Sequence, residues 1–154
     1  MSIASPPEPV KQNKSEERRT PVNASTLAEH GRDHCVIDMH NLFVGTTLED
    51  ELLLLGSGEK ALADIGRECA LFGVRLEPGR LLSSYSGGEQ AIICSLTLMA
   101  LLPRRPLRIL LVHVLETLSP RNRELLLDRF ATVLPDAGLF TLVGSEPQPV
   151  GRHA

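Results

Sequence analysis

Ser86-Gly87-Gly88-Glu89-Gln90 is the run whose residue types and spacing are best suited to chemistry in this 154-residue chain. Ser86 and Glu89 stand at the spacing of a capping box. The Ser hydroxyl accepts from the amide of Glu89, and the Glu carboxylate returns to the amide of Ser86. Two glycines in the first turn strip side chains from a helix N-terminus and leave bare N–H groups at the positive end of the helix dipole. Such a terminus can bear directly on a phosphate, with the Ser86 hydroxyl as a further donor. A plain structural reading also stands, in which the glycines merely follow a loop into a helix. No Gly-x-x-x-x-Gly-Lys-Ser/Thr loop, the usual cradle for the phosphates of ATP, occurs in the sequence.

The elements around this run can position it. Ser86 opens a long apolar helix to Leu102, closed by Pro103. Upstream, Cys35-Val36-Ile37 reads as a buried strand and His40 to Thr46 as a loop. Thr47 to Leu55 reads as a short helix, capped through Thr47 and Asp50 and stopped by Gly56. Gly58 to Phe72 predicts a second helix, with Leu62, Ile65, Cys69 and Phe72 on one face and Gly73 as its stop. Glu77-Pro78-Gly79 is a turn. Leu107 to Val114 is an apolar run that reads as a buried strand. Ser119-Pro120 caps a further helix carrying Leu125, Leu126, Phe130 and Val133. Leu139 to Val143 reads as a last strand, and residues 146–154 as loose tail. Strand, helices, strand, helix, strand is an α/β pattern.

Composition narrows the function. Hydrophobic content of 42% supports a packed core, but aromatics are 3% and Trp is absent, so Leu, Ile, Val and Ala must build it. A net charge of −3 argues against a general nucleic-acid binder, whose footprint is a basic face. Arg104, Arg105 and Arg108, and likewise Arg121, Arg123 and Arg129, read as solvated faces. Cys35, Cys69 and Cys94 are scattered and odd in number, which suits a reducing compartment and not a disulfide framework. His30, His34 and Cys35 lack a second ligand pair at zinc spacing, so no metal site is expected. Residues 1–32, rich in Pro, Ser, Glu, Lys and Arg, read as a disordered tail. Met1 to Arg19 lacks the apolar core of a signal peptide. The longest apolar stretch, Ala91 to Leu102, falls short of the ~20 residues a membrane span needs. A cytoplasmic chain, peripheral to a membrane at most, is expected.

The run from Ser86 to Gln90 resembles the signature motif of ATP-binding-cassette (ABC) ATPases, and the resemblance extends from about Cys35 to Pro147. Val36 to Thr47, with Leu42-Phe43-Val44-Gly45-Thr46, is similar to the family's Q-loop region. Leu107 to His113 occupies the place of the Walker B strand. Leu118-Ser119-Pro120 resembles the D-loop, and Leu142 to Pro147 the strand leading to the switch histidine. The resemblance implies a partial ABC-ATPase-like α/β fold over residues 33–147. Within it, residues 47–82 form a helical subdomain, 83–102 the signature helix, and 107–147 a small, mainly parallel sheet region; 148–154 is tail.

Departures fall on the family's catalytic positions. Asp38 stands for the Q-loop glutamine, Val112 for the Walker B aspartate, and His113 for the catalytic glutamate. Ser119 replaces the D-loop aspartate, and Ser145 the switch histidine. Val112 cannot ligate magnesium, which wants hard oxygen donors, and shifting the alignment by one residue does not rescue an acidic pair, because Glu116 is the only carboxylate nearby. No intrinsic catalytic residue, metal site or cofactor is therefore expected. ATP with magnesium would be engaged only through a partner.

The leading expectation is a degenerate ABC-type subunit, transporter-associated, that presents Ser86, Gly87, Gly88, Glu89 and Gln90 to ATP on a complete ABC subunit. A transmembrane permease is a further expected partner, and self-association is left open because the small sheet has exposed edges. The alternative is a nucleotide-independent adaptor that keeps the fold as an interaction surface. A truncated product without its own function is a third reading. Gly-Gly-Glu also resembles chromosome-maintenance ATPases of the superfamily, but no heptad coiled coil accompanies it.

Overall fold

The apolar runs around Val36, Leu110 and Phe140 become neighbouring strands. The computed structural model describes residues 34–151. β1 (Cys35–Asp38), β2 (Arg108–Val112), β3 (Gly138–Val143) and β4 (Glu146–Pro149) form one four-stranded sheet in that order. The first three strands are parallel, with Cys35 opposite Ile109 and Ile109 opposite Leu139. Parallel neighbours need long crossovers. α1 (Leu48–Leu54), α2 (Glu59–Leu71) and α3 (Gly87–Leu101) fill the first, and α4 (Pro120–Val133) the second. The expected α/β class with a small, mostly parallel sheet holds.

Local chemistry explains where the helices begin. Thr47 Oγ1 accepts from the Asp50 amide at 3.2 Å ahead of α1. Ser119 Oγ accepts from the Asn122 amide at 3.3 Å, with Pro120 in the first turn of α4. Gly73 takes φ 74° just after α2, the left-handed stop that a glycine provides.

Ile109 and Leu111 of β2 join one core cluster with Ile92, Ile93 and Leu96 of α3 and Leu126 and Phe130 of α4. Leu110 and Val112, the alternate residues, are buried as well. A strand buried on both faces must read as an unbroken apolar run. α3 is buried from Ala91 to Thr97, as a helix enclosed by protein must be. Burial pushes the Cys69 thiol up to about 12, with the Glu68 carboxylate adding to it. Burial likewise raises Cys94 to about 12, helped by Glu51 and Cys35. Both thiols are therefore poor nucleophiles at neutral pH.

Two boundaries differ from expectation. β2 stops at Val112, two residues before the expected Val114, because His113 adopts φ 58° and turns the chain into a 3₁₀ turn at Leu115–Thr117. Residues 146–149 are not loose tail. They form β4, antiparallel to β3, through a two-residue turn in which Gly144 takes φ 64°. Val150 N–H donates to Leu139 O at 2.9 Å, so Pro147 and Pro149 lie on the alternate, outer side, where no N–H is needed. The tail expected over residues 1–32, the cluster members His30 and Met1 to Arg19, and residues 152–154 lie outside the described residues. Among the described residues no helix is long and apolar enough to cross a membrane.

Candidate functional site

α3 begins as its sequence requires. Ser86 is extended at φ −61°, ψ 161°, and its Oγ accepts from the Glu89 amide at 3.2 Å. Glu89 Oε2 accepts from the Ser86 amide at 2.8 Å, completing the capping box. Gln90 turns back and donates from Nε2 to Tyr85 O at 2.8 Å. With Ser86 and Glu89 engaged on each other, the amides of Gly87 and Gly88 find no acceptor among the described residues. Ser86 and Gly87 are exposed, so this positive helix end faces solvent. The segment leading in is anchored by buried Tyr85, whose hydroxyl accepts from the Glu77 amide at 3.0 Å. The Arg80 guanidinium lies 4.0 Å from the Tyr85 ring centroid and donates to Ser84 Oγ, placing a cation close to the terminus.

The two glycines have different reasons to be glycine. A Cβ at Gly88 would stand 3.0 Å from Thr117 O, a backbone atom that cannot step aside cheaply. A Cβ at Gly87 would meet only the Met39 methyl at 3.8 Å, an ordinary contact. Gly87→Ala is expected to raise stability by up to about 1 kcal/mol through helix propensity, whereas Gly88→Ala lowers it. Paired thermal melts check this, and equal effects at both positions would refute the distinction.

These contacts set α3's N-terminus beside Met39, which leaves β1, and Thr117, which follows β2. Open α/β sheets bind ligands at the carboxyl ends of their strands. The positions expected to be degenerate gather at the same edge. Asp38 lies opposite Val112 in the β1–β2 register. Asp38 Oδ1 accepts from the His40 amide at 3.0 Å, so the carboxylate supports its own turn. Val112 is 1% exposed and offers a metal no donor. His113, in its left-handed conformation, holds Glu116 Oε2 at 2.9 Å through Nδ1, and the His40 ring meets it edge-on with centroids 6.0 Å apart. Ser119 serves as the N-cap of α4, and exposed Ser145 sits on the β3–β4 turn. Among the described residues no group of three or more His, Cys, Asp or Glu side chains is placed to hold a metal ion. Magnesium therefore does not fit this edge on the chain's own residues.

Sequence reasoning missed the group that fixes the loop between β1 and α1. Glu51, buried in α1, accepts from the Val44 amide at 3.0 Å and from the Gly45 amide at 2.5 Å. Gly45 approaches so closely that a Cβ there would fall 2.6 Å from Glu51 N. Within Glu49-Asp50-Glu51 the residue reads as one more solvated acid, and only its helical position three residues from the buried Leu48 hinted otherwise. No protein-family model matches the chain, and no curated protein matches it.

Proposed function

We propose that the chain is a catalytically degenerate ABC-type subunit that lends the α3 N-terminus to ATP bound on a complete partner. The observation that carries this reading is the pair of acceptor-free amides, Gly87 and Gly88, at an exposed, capped helix end. A terminal phosphate oxygen is the group that such a terminus accepts best. Magnesium and the phosphate cradle would come with the partner. Val112 and the lack of an acidic pair support a chain that turns over no ATP itself. In this reading residues 47–82 transmit closure to a membrane-associated component. The exposed Leu53, Leu54 and Leu81 in that region support a docking role.

Affinity capture with ATP and vanadate tests the reading. The natural chain should retain a protein with an intact phosphate loop, and Ser86→Arg should lose it. Retention by Ser86→Arg sinks the proposal. The chain alone is expected to hydrolyse no ATP above background; turnover that disappears in His113→Ala would show otherwise.

A nucleotide-independent adaptor is the second reading, favoured by Gly88. Its close approach to Thr117 O gives that glycine a packing role needing no phosphate. Partner binding indifferent to both ATP and Ser86 selects this alternative.

A further inference from the structure

α2 carries a glycine where its own folding asks for none. Gly66 sits in the middle of Glu59–Leu71, and an interior helix position disfavours glycine. A Cβ there would find only Leu76 Cδ2 at 3.8 Å, an ordinary contact. Neither a left-handed turn nor close packing accounts for the missing side chain. Gly66 does line a cleft of about 270 Å³ between α1, α2 and the segment that follows α2. A side chain at this position would favour the helix and shrink the cleft.

The lining has two chemical parts. Leu62 and Leu76 are apolar and half-buried. Glu49, Glu59 and Glu77 add three carboxylates, and no cationic side chain lines the cleft. Glu77 has the Arg80 guanidinium at 3.8 Å. Glu49 and Glu59 make no ion pair among the described residues. Glu49 Oε1 accepts from the Gly79 amide at 2.8 Å, which fixes one carboxylate beside the turn that bounds the cleft. Glu59 stands in the first turn of α2, where the helix dipole favours an acid but does not neutralise it.

We propose that this cleft binds a small aliphatic amine in its protonated form, its alkyl body against Leu62 and Leu76 and its ammonium group among the carboxylates. Three acids repel an anion. A neutral apolar ligand would strip water from the carboxylates and give them no partner. A cation without an apolar body would gain nothing from the leucines. Size decides between a free amine and a lysine offered by another protein. The volume is that of roughly nine water molecules in the liquid, just below the ~300 Å³ at which drug-sized pockets begin. A stable protein partner needs about 800 Å² on each side, which a cleft of this size does not supply. None of the lining residues belongs to α3, so the inference stands whether or not the chain engages ATP.

A nuclear magnetic resonance titration of the full chain with n-hexylammonium tests it, with n-hexanol and hexanoate as the neutral and anionic counterparts. The amide signals of Leu62, Gly66 and Leu76 should shift saturably with the amine. Both counterparts should bind at least about tenfold more weakly. Glu59→Gln combined with Glu77→Gln removes two charges from exposed side chains and should weaken amine binding about fivefold. Gly66→Leu should fill the cleft and abolish binding while holding or raising the melting temperature, because leucine is the better helix former. The paired glutamine variant decides the matter if Gly66→Leu does not fold. A natural chain without saturable shifts, a counterpart that binds as well as the amine, or binding untouched by these substitutions overturns the proposal.

Discussion

Glu51→Ala should cost about 3 kcal/mol of folding stability and lower the melting temperature by roughly 10 °C. Glu51 is 8% exposed, and its carboxylate takes the amides of both Val44 and Gly45. Hydrogen bonds to a charged acceptor are each worth about 1.5–3 kcal/mol, and an amide left without a partner carries its own desolvation cost. Glu51→Gln keeps one acceptor oxygen and should lose about half as much. Gly45→Ala attacks the same latch from the other side, because its methyl would drive into Glu51 N at 2.6 Å. Since both substitutions open one contact, the double variant should fall short of the sum. Calorimetric melts of the four variants check this. A loss under about 1 kcal/mol for Glu51→Ala would mean that water replaces the carboxylate at little cost.

Phe130→Ala should be at least as damaging, at about 3–5 kcal/mol. The ring is 1% exposed within the cluster that joins α4 to β2 and α3. Its removal takes away the largest apolar side chain that α4 contributes and leaves a cavity behind. α4 is also tied to α2 by Arg129 and Glu68 at 2.8 Å, with side chains 26% and 34% exposed. A partly exposed pair of that kind contributes about 1 kcal/mol or less. Glu68→Gln should therefore cost a fraction of what Phe130→Ala costs. Urea titrations decide between them, and comparable losses would show that the ion pair, not apolar burial, holds α4 in place.

What could be read from the chain follows from how local its causes are. The capping box at Ser86 lies within four residues, and the structure reproduces it down to both hydrogen bonds. The burial of β2 is written in its unbroken apolar run. Its end is not, because Val112-His113-Val114 continues the pattern while a single backbone torsion at His113 breaks the strand. β4 escaped notice because Pro147 and Pro149 argue against a strand, although Gly144-Ser145 between two segments is a hairpin signal. Gly88 and Glu51 needed the tertiary fold. The first touches Thr117, far along the chain, and the second sits in a run of acids that reads as solvent-facing. The gathering of Asp38, His40 and His113 at one sheet edge likewise follows from the parallel register of β1 and β2, which spacing alone does not fix.

The prolines of β4 bear on how far such a sheet can grow. With Pro147 and Pro149 turned outward, that margin lacks two of the donors that an incoming strand would seek. Among the described residues the sheet thus has at least one margin, β4, that resists an added strand. A unit with two adhesive margins polymerises, as stacked sheets in fibrils do. A unit with one can capture a single neighbour and then stops, so β4 acts as a chain terminator for the sheet.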